Sequence, residues 1–225
     1  MDNMINFGID LGTTNSVIAK FNKGKVDIFQ DQTYSEKIMP SIVAFKKNEI
    51  LVGKQAKSRA GTDDYFTAFK RKMGTTESFK IKALNQSITP IELSTYILKE
   101  LKSSVFTGEI VETVVITIPA SFDIVQSNAT KEAGHQAGFK QVVLLPEPVA
   151  ASIAYANQNN TLKDGQWLVY DLGGGTFDVA LVKIHEGEMK VLDHEGDNFL
   201  GGADFDNLIV EKLIVPVLEK KYNLT

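Results

Sequence analysis

The sequence predicts an α/β protein of two related lobes, each a strand–turn–strand meander followed by crossover helices. Three observations support this. A D-L-G turn closes an apolar strand twice, so that Asp10, Leu11 and Gly12 in "FGIDLGTTNSV" match Asp171, Leu172 and Gly173 in "VYDLGGGTFDV". Short runs rich in valine and isoleucine alternate with stretches whose apolar residues recur every four positions. The chain, at 225 residues, is long enough to bury a sizeable core.

The elements follow in order. "INFGID", "SVIAKF" and "KVDIF" read as three strands joined by the turns "LGTTN" and "NKG". "SIVAF" and "EILVG" form a strand pair turning at Lys46, Lys47 and Asn48. "TPIEL" is a helix start: Thr89 caps, Pro90 takes the first helical position and Glu92 completes a capping box. Leu93, Ile97, Leu101 and Val105 then give one buried stripe. "ETVVITIP" is a strand ending at Pro119, and the next helix sets Ala129, Ala133 and Ala137 on one face for close packing. "VVLLP" is another buried strand, followed by a helix beginning at "EPVAAS". "WLVYD", "FDVALVKI" and "MKVLDHEGD" repeat the opening meander. The final helix is expected to be capped by Asp204 and kinked at Pro216.

Composition excludes several functions. With 24 basic against 28 acidic residues and no basic stripe beyond the short "AFKRKMG", nucleic acid is not the expected partner. The absence of cysteine removes disulfides, zinc thiolates and thiol nucleophiles. No apolar run approaches the roughly 18 residues of a membrane span, and the start lacks a signal-peptide pattern, so no membrane association and a cytoplasmic location are expected. His135, His185 and His194 have no metal-ligand spacing and read as surface residues. There is no G-x-S-x-G nucleophile elbow.

The duplicated turn carries the chemistry. Glycines let peptide N–H groups form a nest for anionic oxygens, and threonine hydroxyls add donors. An aspartate beside such a nest repels phosphate unless a hydrated cation lies between, a role that suits Mg²⁺. Two facing D-L-G turns would therefore clamp a polyphosphate–Mg²⁺ group. Neither turn is a P-loop or a Rossmann fingerprint, because a strand follows each. Alone, "YDLGGGTFDV" is equally a tight hairpin.

"GIDLGTTNS", "FKRKMG", "LLPEPVAASIAYA", "YDLGGGTFDV" and "GDNFLGGADFDN", spanning Gly8 to about Asn207, stand in the order found in the heat shock protein 70 chaperones of DnaK type, which the chain resembles. The resemblance implies an actin-like ATPase domain with ribonuclease-H-like lobes, mixed five-stranded sheets and flanking helices. It implies ATP or ADP between the lobes with Mg²⁺ and a monovalent cation, K⁺. Gly12, Thr13, Thr14 and Asn15 look like the first phosphate loop, and Gly174, Gly175 and Thr176 like the second. Asp10 and Asp171 match the carboxylates that hold the metal's water shell. Glu147 matches the acid at its outer shell, and Lys70 the lysine that orients the attacking water. Asp178 matches a residue near the γ-phosphate and the monovalent cation, while Gly201 and Gly202 resemble backbone closing over the nucleotide. On pattern alone, Lys70 reads as a surface charge near a helix end at Gly74, Glu147 as a favourable helix start and Asp178 as an exposed strand position.

The same resemblance implies a protein-folding ATP hydrolase with unfolded client peptides, a J-domain co-chaperone and a nucleotide-exchange factor as partners. It divides the chain into a first lobe over 1–146, with a shortened insertion around 74–89, and the start of a second over 147–225. The second lobe reads as truncated, which leaves apolar surface exposed and ATP binding weak. Ser127 stands where the family has an arginine and Ser121 where it has an aromatic, which puts interdomain coupling in doubt. Actin-like filament subunits and small-molecule kinases share the two turns; "FLGGADFD" favours the chaperones.

Overall fold

The computed structural model describes residues 5–31, 33–105, 110–159 and 164–223. The opening meander is β1 (Phe7–Leu11), β2 (Asn15–Asn22) and β3 (Lys25–Ile28), with β4 (Met39–Pro40) added beside β2. The hairpin of β5 (Val43–Lys46) and β6 (Glu49–Val52) carries β7 (Tyr65–Phe66) on its other side. Residues 74–89, the expected short insertion, hold the two-stranded hairpin β8 (Phe79–Ile81) and β9 (Gln86–Ile88).

Helix α1 (Pro90–Ser103) starts as its sequence dictates. Thr89 Oγ1 accepts from Glu92 N–H at 3.2 Å, and Glu92 Oε2 accepts from Thr89 N–H at 2.8 Å. Then come β10 (Thr113–Ile118), α2 (Ile124–Gln136) and β11 (Gln141–Pro146). A second capping box, Asp123 with Gln126, opens α2; the sequence reading overlooked it. The main sheet runs β11-β10-β1-β2-β3, parallel on one side of β1 and antiparallel on the other. Against it Leu93, Ile97 and Leu101 of α1 and Ala129 and Ala133 of α2 are buried among Ile9, Ile18 and Ile116. Val105, the fourth member of the expected stripe, is half-buried at the edge of this core. Each fully buried leucine or isoleucine contributes roughly 1.5–3 kcal/mol, so this single face dominates the lobe's cohesion.

Helix α3 (Glu147–Asn159) follows β11 without a loop and leads toward β12 (Gly165–Leu172), β13 (Phe177–His185) and β14 (Glu188–Asp197). These three strands form an antiparallel sheet that repeats the opening meander, around a small cluster of Ala180, Val182 and Ile184.

The last helices correct the sequence reading. The cap of α4 (Gly202–Ile209) is Gly201, and Asp204 lies inside the first turn, where Arg71 holds its carboxylate. Ahead of Pro216 the chain takes one π-helical turn, Val210–Ile214, before α5 (Val215–Tyr222). The wider turn absorbs the missing N–H and the ring that would otherwise crowd the preceding turn. No residue of α4 or α5 is buried, and Leu208, Leu213 and Val217 face solvent.

Candidate functional site

The two D-L-G turns face each other across a cavity of about 460 Å³. Asp10 and Asp171 are the penultimate residues of β1 and β12, so each strand delivers one carboxylate to this space. Gly12, Thr13, Thr14 and Asn15 line it from the first turn, Gly174 and Thr176 from the second, with Lys70 and Glu147 completing the polar wall. Gly175, Asp178, Gly201 and Gly202 stand back from the cavity.

The turns meet closely enough to require glycine. A Cβ on Gly174 would lie 1.9 Å from Thr14 Oγ1, and one on Gly175 would lie 2.4 Å from Thr13 Cγ2. Each turn is also braced from behind through its carbonyls. Ser41 Oγ donates to Gly12 O at 2.7 Å and Ser41 N–H to Thr14 O at 2.8 Å. Gly202 N–H donates to Gly173 O and Ala203 N–H to Gly174 O, both at 3.0 Å. A planar trans peptide points its N–H opposite to its C=O. Bracing the carbonyls of Gly12, Gly173 and Gly174 therefore turns the N–H groups of Thr13, Gly174 and Gly175 away from the bracing segments. An anion nest requires N–H groups freed from internal pairing in this way.

Lys70 overturns its pattern-based reading as a surface charge. It sits in a 3₁₀ turn, Phe69–Lys72, and is only 5% exposed, with Nζ 2.8 Å from Glu147 Oε1. Asp178 likewise is not an exposed strand position: it is 3% exposed and lies opposite Asp171 in the β12–β13 register. Among the described residues, its Oδ1 and Thr13 Oγ1 are buried without a hydrogen-bond partner.

Two of the carboxylates, Glu147 and Asp171, are raised. Burial pushes the Glu147 carboxyl above its ordinary range; Lys70 opposes this, and Asp10 and Asp171 add to it. Burial also raises Asp171, reinforced by Asp178 and Asp10 and opposed by Lys70. Three acids, Asp10, Glu147 and Asp171, against one lysine on the cavity wall make a site that favours an added cation. No group of three or more His, Cys, Asp and Glu side chains among the described residues is arranged to hold a metal directly. The hard oxygens of Asp10 and Asp171 fit Mg²⁺ kept in its own water shell beside phosphate oxygens.

The family model described as Hsp70 protein matches residues 6–224. The chain belongs to the Hsp70 family. It is 42% identical over 222 residues to the chaperone protein DnaK of Mycoplasma mobile, covering 97% of this chain and 36% of that protein. Against the chaperone protein DnaK of Mycoplasmopsis agalactiae the identity is 41% over 218 residues, covering 96% and 36%. The chain thus spans about a third of the length of these curated relatives. Membership brings the actin-like ATPase fold expected from the sequence.

In this Hsp70 chain several site residues had escaped the sequence reading. Thr117 Oγ1 donates to Asp10 Oδ1 at 3.0 Å, because the parallel pairing of β10 with β1 sets them side by side. Ala150, Ala151 and Ala154 of α3 form an apolar wall of the cavity, foreshadowed by the small residues in "EPVAASIAYA". Ser41 carried no signal of its own. Arg71 binds Asp204 through both terminal nitrogens, Nη1 to Oδ1 at 3.0 Å and Nη2 to Oδ2, and holds that carboxyl below its usual range. The three histidines are exposed, as expected. No helix among the described residues is long and apolar enough to cross a membrane.

Proposed function

We propose that this chain supplies the phosphate- and metal-binding part of the ATP-hydrolysing domain of a DnaK-type protein-folding chaperone, which hydrolyses ATP in the complete protein. The observation that carries the reading is the pair of D-L-G turns meeting over one cavity, with the buried Lys70–Glu147 pair on its wall. In this reading the first lobe spans 1–146 and the second begins at 147. The N–H groups of the two turns and the hydroxyls of Thr13, Thr14 and Thr176 bind the phosphate oxygens. Asp10, Asp171 and Glu147 hold hydrated Mg²⁺, which when bound offsets phosphate charge. Lys70, fixed by Glu147, orients the attacking water in line with the leaving oxygen and offsets charge developing on the γ-phosphoryl group. The unpartnered Oδ1 of Asp178 supports a monovalent cation, K⁺, beside it. Gly201 and Gly202 act by bracing the second turn. Catalysis of this kind is positioning plus electrostatics, with no covalent intermediate.

The hydrolysis would control binding of unfolded client peptides elsewhere in the protein, with a J-domain co-chaperone and a nucleotide-exchange factor as partners. The names of the relatives, which are chaperones, support this. Single-turnover hydrolysis by the full-length protein tests the assignment: Lys70→Ala should slow it by about 10²-fold or more, as for loss of a transition-state charge partner. Equal rates would overturn it.

A further inference from the structure

The basic cluster "FKRK" contributes more than Lys70. Arg71, the next residue of the same 3₁₀ turn, reaches Asp204 on α4 with a two-pronged grip, Nη1 to Oδ1 at 3.0 Å and Nη2 to Oδ2. Its side chain is 14% exposed and that of Asp204 32%. The guanidinium lies against the second turn: a Cβ on Gly175 would stand 2.8 Å from Arg71 Nε. Asp204 follows directly on the segment that braces that turn, and its own N–H donates to Gly201 O at 3.0 Å. Gly201 in turn sits so close that a Cβ there would meet Gly175 N at 2.3 Å. Neither Arg71 nor Asp204 lines the cavity.

We propose that Arg71 is a positioning residue whose fork on Asp204 latches the second phosphate turn against the first and so sets how slowly nucleotide leaves. This rests on the ATP-binding reading of the same site. A ligand gripped by both turns can leave only when they separate, and separation at Gly175 must break or stretch the fork. Charge-assisted bidentate pairs are directional and about twice as strong as neutral hydrogen bonds. The exposure of Asp204 lets water replace the contact, so the latch is reversible. Lysine would keep the charge but lose the planar fork.

The test uses the full-length protein with Mg–ATP carrying a fluorescent label. Dissociation is followed by stopped flow, and hydrolysis of bound ATP in a single turnover. Arg71→Lys and Asp204→Asn should each speed dissociation about tenfold, with the loss falling on binding rather than on the hydrolysis step. The double variant should release nucleotide no faster than either single one, since both remove one interaction. Wild-type dissociation rates in the variants would overturn the latch. So would effects that multiply to about a hundredfold in the double variant, or a hydrolysis defect as large as that of Lys70→Ala. A wild-type protein that binds ATP without hydrolysing it would overturn the ATPase reading but not the latch; one that binds no nucleotide would overturn both.

Discussion

Lys70 Nζ stands 2.8 Å from Glu147 Oε1, joining a 3₁₀ turn to the first residue of α3 across 77 positions of sequence. The lysine is 5% exposed and the glutamate 15%. Breaking a buried pair leaves one charge without compensation, at about 3–5 kcal/mol when burial is complete. Glu147 borders the cavity, so Lys70→Ala should cost about 3 kcal/mol, the lower end of that range. The double variant Lys70→Met/Glu147→Gln should recover most of the loss in urea denaturation, because neither residue then carries a buried charge. Both variants should lose hydrolysis alike.

Gly201→Ala is expected to fail differently. The new methyl would meet backbone atoms, Gly175 N at 2.3 Å and Gly174 C at 2.6 Å, and backbone cannot rotate aside. Overpacking of this kind costs about 1–3 kcal/mol. The second turn should shift, with ATP affinity falling further than global stability. Calorimetric titration beside thermal unfolding would separate the two, and unchanged ATP affinity would refute the bracing role.

Asp171→Asn should stabilise the protein in the absence of nucleotide and metal, in a pH-dependent way. The carboxyl is raised in the folded state, so the fold holds a proton that the unfolded chain releases. That contribution is complete below the ordinary aspartate value and disappears as pH rises through the raised one. The variant should therefore melt with wild type near pH 4 and above it at pH 7. Parallel melting curves across this window would show that the acids do not strain the empty site. Added Mg–ATP should reverse the order at pH 7, since wild type alone keeps the Asp171 charge that faces the metal.

Thr117→Val removes the hydroxyl that donates to Asp10. The contact is open to solvent, so stability should change by less than about 1 kcal/mol. The Mg²⁺ concentration needed for half-maximal hydrolysis should rise severalfold, as Asp10 loses the group that orients it. A magnesium dependence identical to wild type would refute that role.

The strands, the capped α1 and the duplicated turn were legible because each rests on local chemistry: period-two apolar runs, a threonine three residues before a glutamate, glycines beside an aspartate. The same local reading misjudged Lys70, Asp178 and Asp204. Lys70 and Asp204 owe their environments to partners 77 and 133 positions away. Asp178 is buried among strands paired around it, which no single-residue pattern announces. Thr117 became visible only once β10 was known to lie parallel to β1. Ser41 is an ordinary loop serine until the carbonyl of Gly12 arrives above it.

Lys70, Arg71 and Lys72 occupy one 3₁₀ turn, yet Lys70 meets Glu147, Arg71 meets Asp204, and Lys72 meets Glu77 with its Nζ 5.5 Å from the Phe199 ring. Three residues per turn send three successive side chains out about 120° apart. The turn is consequently indexed like a gear: inserting or deleting one residue ahead of it would rotate every cation onto its neighbour's partner. Changes of chain length between Phe66 and Met73 should therefore be far less tolerated than substitutions there, whereas lengthening the β8–β9 hairpin leaves the indexing untouched.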